Sequence, residues 1–324
     1  MPANLPPQYV TAEKRLKSAR DPEEKIAILE EMWALLPKHK GTDKIQADLK
    51  RRMSQVRKQV EEGKKGRKGF SISVVREGAG QIVIVGPPNS GKSSLVAALT
   101  GANLKIAPYP FTTLLPQPAM MPWLDVMVQI VDLPAIAPRH VEFWCLNIIR
   151  NADAALLVAD ASDGDCLDRL EEVLTELDGR QIHLGKRHGG AASKKTMLIA
   201  TKMDLGQASD HLPLIKELYA ERFDVIPFSC INAGDEERDA LRKRTFDLLG
   251  VIRIYSKEPG GKPDLKQPFT VRAGSTILDF AAHVHKDFAR GLKQARVWGS
   301  ARFPGQAVGK DHKLKDGDIV ELST

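Results

Sequence analysis

The stretch Gly86-Pro87-Pro88-Asn89-Ser90-Gly91-Lys92-Ser93 fits G-x-x-x-x-G-K-[ST], and its flanks make it the strongest constraint on how this chain folds. Before it stands the β-branched apolar run 81–85. After it, residues 94–99 have helix-forming character and stop at Gly101. Strand, glycine-rich turn and helix in that order make a phosphate-binding loop. Successive backbone N–H groups from Gly86 through Asn89, Ser90, Gly91 and on to Ser94 form a nest, and the helix N-terminus adds positive potential. Lys92 reaches the outer phosphates, and Ser93 offers its hydroxyl to Mg²⁺.

A chain of 324 residues has room for two or three domains. No run of 18 or more apolar residues occurs, and residues 1–9 lack a basic-then-apolar signal pattern, so the expectation is a cytoplasmic protein with no membrane partner. Cys145, Cys166 and Cys230 are widely spaced and form no CxxC pair. They read as buried thiols rather than as a disulfide framework or a zinc site.

The net charge of +7 is concentrated, because residues 43–68 carry ten basic and four acidic side chains. That stretch belongs to a helical hairpin or short coiled coil expected over residues 1–70. Asp21-Pro22 starts one helix, with an N-cap aspartate and proline at the first helical position, and Ile26, Leu29, Trp33 and Leu36 line one of its faces. A second helix carries Ile45, Leu49, Met53, Val56 and Val60 at spacings of four and three. Off that seam lie Lys50, Arg51, Arg52, Arg57 and Lys58. They read either as a solvated face or as a contact with an RNA backbone, governed by counterion release.

From residue 78 to about 255 the chain alternates apolar runs with helical patterns, as a mostly parallel sheet wrapped by helices does. The runs are 81–85, 127–131, 155–159, 197–200 and 225–228, and ligands in such folds bind just past the strand ends. Asp132 follows the second run and is placed to hold Mg²⁺ through water. Thr201-Lys202-Met203-Asp204 follows the fourth. The Asp204 carboxylate can accept hydrogen bonds from the N1 hydrogen and 2-amino group of guanine, which adenine does not offer, so the expected nucleotide is GTP or GDP. Lys202 lays its aliphatic stem along the base, and Ser229-Cys230 presents backbone N–H to the guanine carbonyl.

In this order the motifs resemble those of a translation-factor-class GTPase of the Obg/DRG group. Tyr109-Pro110-Phe111-Thr112-Thr113-Leu114 is similar to that group's first switch, and the resemblance implies that the Thr113 hydroxyl binds Mg²⁺ while its backbone senses the γ-phosphate. Residues 265–324 resemble a TGS domain, a small β-grasp module, on Pro268-Phe269-Thr270-Val271, His285-Lys286-Asp287-Phe288 and Asp316-Gly317-Asp318-Ile319-Val320, with one helix from Thr276 to about Arg290. His283, His285 and His312 lack the spacing of a metal site. The fold implied is α/β: a P-loop GTPase domain over residues 78–255, preceded by the helical hairpin and followed by the TGS domain. The resemblance also implies a ribosome or other structured RNA as partner.

The chain departs from the group in three places. Ala135 replaces the glycine of DxPG, and no glycine occurs from residue 133 to 163, so the second switch loses backbone freedom. Ile136 stands where many GTPases place a water-orienting glutamine, which implies slow intrinsic hydrolysis. Thr201 replaces an asparagine, which is expected to weaken support of the phosphate loop. Asn89 offers compensation: in related GTPases an asparagine here helps bind K⁺ against the phosphates, where the ion supplies the charge of an arginine finger. The reading is a weak, Mg²⁺-dependent, K⁺-stimulated GTPase in which Lys92, Thr113 and Asn89 serve catalysis. Its rival is a nucleotide-stabilised RNA-binding scaffold with little hydrolysis.

Overall fold

The computed structural model describes residues 72–101, 115–138, 141–186 and 193–324, together with 16, 28, 29, 31–33, 35 and 49–51. The chain divides into two compact units, Met1–Ile72 and Ser73–Thr324. Within the first, residues 28, 29, 31–33 and 49–51 are helical. Ile28, Leu29 and Met32 are buried and Trp33 is 39 % exposed, so Leu29 faces inward as expected and Trp33 does not, while Ile26 and Leu36 lie outside the described residues. Leu49 is buried and Lys50 and Arg51 are exposed, as the seam requires. The remainder of the expected hairpin lies outside the described residues.

The second unit opens with a seven-stranded sheet made of β1 (Gln81–Val85), β2 (Gln117–Trp123), β3 (Val126–Asp132), β4 (Ala154–Asp160), β5 (His183–Leu184), β6 (Ser193–Thr201) and β7 (Asp224–Pro227). Its order is β2-β3-β1-β4-β6-β5, with β7 beside the later part of β6. Every pairing is parallel except that of β2 with β3. All five residues of β1 are buried, and they feed both faces by alternation. Ile82 and Ile84 join the core under α1 (Lys92–Thr100) and α5 (Asp235–Leu249). Val83 and Val85 join the core under α2 (Phe143–Asn151), α3 (Cys166–Asp178) and α4 (Ala208–Tyr219).

β2 is an edge strand with Pro118 and Pro122 on it. Proline lacks an N–H, so both must sit where that group would face away from β3. Gln81 and Gln129 are buried, yet they satisfy one another: Gln81 Nε2 donates to Gln129 Oε1 at 2.7 Å, and Gln129 Nε2 donates to the Val75 carbonyl at 3.0 Å.

α5 runs through Gly250 (φ 67°) into β8 (Val251–Lys257). This strand belongs to a second, five-stranded sheet with β9 (Phe269–Arg272), β10 (Gln294–Trp298), β11 (Gln306–Val308) and β12 (Asp318–Ser323), in the order β11-β10-β12-β8-β9. β8 pairs with β9 and β12 and with no strand of the first sheet. The boundaries at 255 and 265 are thereby corrected: the second sheet begins at Val251. α6 (Ile277–Val284) covers it and buries Phe280. The single helix expected up to Arg290 is broken at His285. That residue is extended (φ −165°) and caps α7 (Lys286–Gly291) by accepting from the Asp287 N–H on Nδ1. Among the described residues no helix is long and apolar enough to cross a membrane.

Candidate functional site

The carboxyl ends of β1, β3, β4, β6 and β7 bring the expected residues to one side of the first sheet. β1 ends in the loop 86–91. A Cβ on Gly86 would stand 2.5 Å from the Val158 carbonyl, so only glycine lets β1 and β4 stay this close. Asn89 (φ 59°) and Gly91 (φ 87°) are left-handed, which curls the loop, and the Leu95 N–H on the Gly91 carbonyl (2.9 Å) starts α1. Ser90 is buried with its hydroxyl on the Pro87 carbonyl at 2.9 Å. At the far end of α1, Arg242 from α5 donates through Nε to the Leu99 carbonyl at 2.8 Å, a cation placed at the negative end of the helix.

Lys92 opens α1 and is 8 % exposed. Its ammonium donates to the carbonyls of Pro87 (2.7 Å) and Gly86 (3.3 Å). Burial pulls its pKa down from 10.5 to about 8, with the Asp132 charge opposing. Ser93 Oγ donates to Asp132 Oδ2 at 2.5 Å. Asp132 is 1 % exposed, and burial raises its pKa although the Ser93 bond and the Lys92 charge oppose this. Among the described residues its Oδ1 is buried without a hydrogen-bond partner. A hydroxyl and a carboxylate side by side, one carboxylate oxygen unsatisfied, are a donor set that fits a hard divalent cation such as Mg²⁺.

Thr201 ends β6 fully buried. Its hydroxyl lies 2.7 Å from the Ser90 carbonyl and 2.9 Å from the Ala159 carbonyl, so it ties the phosphate loop to β4 and β6. The expected weakening at this position is not what the side chain does: threonine reaches the loop backbone itself. Lys202 is left-handed (φ 59°), and its ammonium pairs with Asp160 Oδ2 at 2.5 Å. Asp160 also accepts from the Ser162 N–H and hydroxyl. Asp204 Oδ1 accepts from Ser229 Oγ at 2.7 Å, and the Asn232 N–H donates to that hydroxyl at 3.0 Å. Asp204 and Ser229 stand in the wall of a cavity of about 730 Å³ that opens along β7. Burial, followed by the Asp204 charge, pushes the Cys230 thiol up to about 11, so it stays protonated at neutral pH. Ser94 is half-buried in the first turn of α1.

The Ile136 side chain is buried in the core with Leu133, and its N–H donates to the Gly86 carbonyl at 3.0 Å. The segment after Asp132 is thereby fastened to the phosphate loop, with an aliphatic group turned away from it. Thr113 and the whole stretch 109–114 lie outside the described residues. Sequence reasoning missed Asp160 as the partner of Lys202. Its signal was available, since it is the last residue of a buried apolar run.

Residues 81–202 match the family described as 50S ribosome-binding GTPase, and residues 252–324 match the TGS domain. An uncharacterised GTP-binding protein of Methanocaldococcus jannaschii is 29 % identical over 93 % of this chain and 92 % of its own length. Developmentally-regulated G-protein 2 of Arabidopsis thaliana is 28 % identical over 92 % of this chain and 90 % of its own. These alignments span 362 and 360 positions, more than this chain contains, so the relatives carry residues that it lacks. The Schizosaccharomyces pombe YchF GTPase shares the fold, with a TM-score of 0.53 at 17 % identity over 77 % of this chain and 99 % of that one. The chain has the fold of a P-loop GTPase domain followed by a C-terminal TGS domain, and along most of its length it is similar to GTP-binding proteins of the DRG type.

Proposed function

We propose that this protein is a switch that binds GTP with Mg²⁺, hydrolyses it slowly and acts on an RNA-rich partner such as the ribosome from a cytoplasmic location. The observation that carries the reading is the Ser93 hydroxyl on Asp132 beside buried Lys92, with Asp132 Oδ1 left unsatisfied. A β,γ-phosphate would replace the loop carbonyls as the partner of the Lys92 ammonium. Ser93 and Thr113 would hold Mg²⁺, and Asp132 would support it through water. The metal would neutralise charge on the phosphate oxygens. Water attacks the γ-phosphorus, the bond to the β–γ bridging oxygen breaks with its electron pair leaving on GDP, and the proton leaves with phosphate. Lys92 stabilises the charge that develops.

Asp204, oriented by Ser229, would select guanine, with Cys230 supplying backbone N–H. Asn89 would help hold K⁺. Ile136, buried and unable to orient water, supports the slow intrinsic rate. The basic residues 43–68 and the TGS domain would engage RNA, and the name of the matched GTPase family supports a ribosomal partner.

The deciding experiment is GTP turnover with Mg²⁺, with and without ribosomes, in KCl and in NaCl at matched ionic strength, with Lys92→Ala as control. Turnover that rises with ribosomes and vanishes in the control supports the switch. Equal rates in the two salts remove the role of K⁺. The Ile136–Gly86 fastening and the glycine-free second switch favour a second reading, in which bound nucleotide only stabilises an RNA-binding scaffold. Tight GTP binding with no turnover under any condition would establish that one. Deletion of residues 1–68 separates the roles further, since a scaffold working through its basic helices loses RNA affinity while GTP binding survives.

A further inference from the structure

β2 and β3 form an antiparallel ribbon at the border of the first sheet, paired without interruption from Gln117↔Asp132 to Trp123↔Val126, with β3 also paired to β1 over Gln129–Asp132. At one end of this ribbon, β2 begins three residues after the first-switch stretch 109–114, and β3 ends on Asp132. At the other end, about 20 Å away at the usual rise per residue, the turn carries Leu124 (φ 51°) and Asp125. There the ribbon meets the second sheet. Arg253 Nη1 on β8 donates to Asp125 Oδ1 at 2.7 Å, and the Tyr255 hydroxyl donates to Asp125 Oδ2. The Arg253 side chain is 12 % exposed, and its guanidinium is also held by Asp316, through Nη2 at 2.8 Å and Nε at 3.2 Å, while the Arg253 N–H donates to Asp316 at 2.7 Å. Trp123 packs on Phe246 of α5 with ring centroids 6.5 Å apart, so the covalent link between the two domains meets the same end of the ribbon.

Continuous pairing along β2 and β3 couples the two ends of the ribbon. Asp125 spends both carboxylate oxygens on β8, one on the Arg253 guanidinium and one on the Tyr255 hydroxyl. A shift of the strand ends at the nucleotide must therefore either break this contact or carry the second sheet with it. From this geometry we infer that the β2–β3 ribbon is a lever whose Asp125 catch on Arg253 and Tyr255 transmits the nucleotide state to the TGS domain. The inference rests on the switch reading above and adds to it the route by which the TGS domain learns which nucleotide is bound.

Hydrogen–deuterium exchange on the full chain tests it, with Mg²⁺ and either GDP or a non-hydrolysable GTP analogue. Wild type, Asp125→Ala and Tyr255→Phe are compared. In wild type, exchange in peptides covering β8 and β12 is expected to differ at least twofold between the two nucleotides. Asp125→Ala abolishes that difference, and Tyr255→Phe reduces it, while affinities for both nucleotides stay within twofold of wild type. If Asp125→Ala does not fold, Tyr255→Phe decides. The lever is overturned by equal exchange in the two states of wild type that binds both nucleotides. It is equally overturned if the variants exchange faster in both states yet keep the nucleotide difference, the signature of a purely structural contact. Wild type that binds neither nucleotide overturns the switch reading itself, and the lever with it.

Discussion

The hydroxyl of Thr201 lies 2.7 Å from the carbonyl oxygen of Ser90, across 111 residues of sequence, and joins the carboxyl end of β6 to the loop 86–91. Both carbonyls it faces, those of Ser90 and Ala159, are main-chain acceptors at a buried position. Thr201→Val keeps the shape and removes the donor. It should cost about 1–3 kcal/mol in urea denaturation, the penalty of leaving buried polar groups unpaired, and weaken GTP about tenfold. Thr201→Ser restores both. A valine variant that matches wild type in both measurements would show that the tie carries no weight.

Lys92 makes the nucleotide-free protein sensitive to alkaline pH. Its folded pKa of about 8 lies below the ordinary lysine value of 10.5, so between these values the unfolded chain binds the proton more tightly and stability rises with pH. The increment is about 3 kcal/mol over the whole window at 1.36 kcal/mol per pKa unit, of which roughly 2 kcal/mol falls below pH 9.5. Denaturation of the apo protein at pH 7.5 and 9.5 should show it in wild type, and Lys92→Met should remove that share. Phosphates restore the charge, so nucleotide binding near pH 8.5 takes up a proton, which calorimetry in buffers of different ionisation enthalpy detects.

Asp132 has the opposite sign. Burial raises its folded pKa above 3.8, so the apo protein loses stability as pH rises from that value through the raised pKa and the buried carboxylate ionises. Asp132→Asn removes the charge and keeps the shape. The expected outcome at neutral pH is an apo protein more stable than wild type, because burial of the carboxylate charge outweighs its pairing with Lys92, and one whose affinity for GTP no longer tightens with Mg²⁺. Thermal unfolding and a Mg²⁺ titration of nucleotide binding check the two halves separately.

If Asp204 selects guanine as proposed, Asp204→Asn replaces an acceptor by a donor and should turn the preference from guanine to xanthine nucleotides by a factor of about 100 or more, on the order seen when a buried group is left unpaired. Ser229→Ala leaves the carboxylate in place but frees Oδ1. A loss of about fivefold in GTP affinity is expected, equivalent to one hydrogen bond of about 1 kcal/mol. Competition binding with GTP, XTP and ATP distinguishes these outcomes.

Much of this site was legible because its residues sit at strand ends, and the strands announce themselves as β-branched runs: the run 81–85 is β1 residue for residue. β2 was not legible. Pro118 and Pro122 make it read as loop, and only pairing with β3 reveals a strand. β8 was read with the wrong domain because it follows α5 after one glycine, and chain continuity hides a change of sheet. The break at His285 escaped because the apolar spacing of α6 carries on past it and no proline or glycine marks the stop. The role of Thr201 depends on a contact 111 residues away, which no local pattern encodes.

The prolines of β2 also govern how this molecule behaves toward copies of itself. The outward row of that strand has its amide hydrogens at 118 and 122 missing, which leaves Met120 between them as an isolated donor. Pro227 ends β7 on the opposite side of the sheet. A stray strand arriving at either border finds a ladder with rungs removed, so the sheet resists growth by edge-to-edge stacking while its nucleotide site stays open.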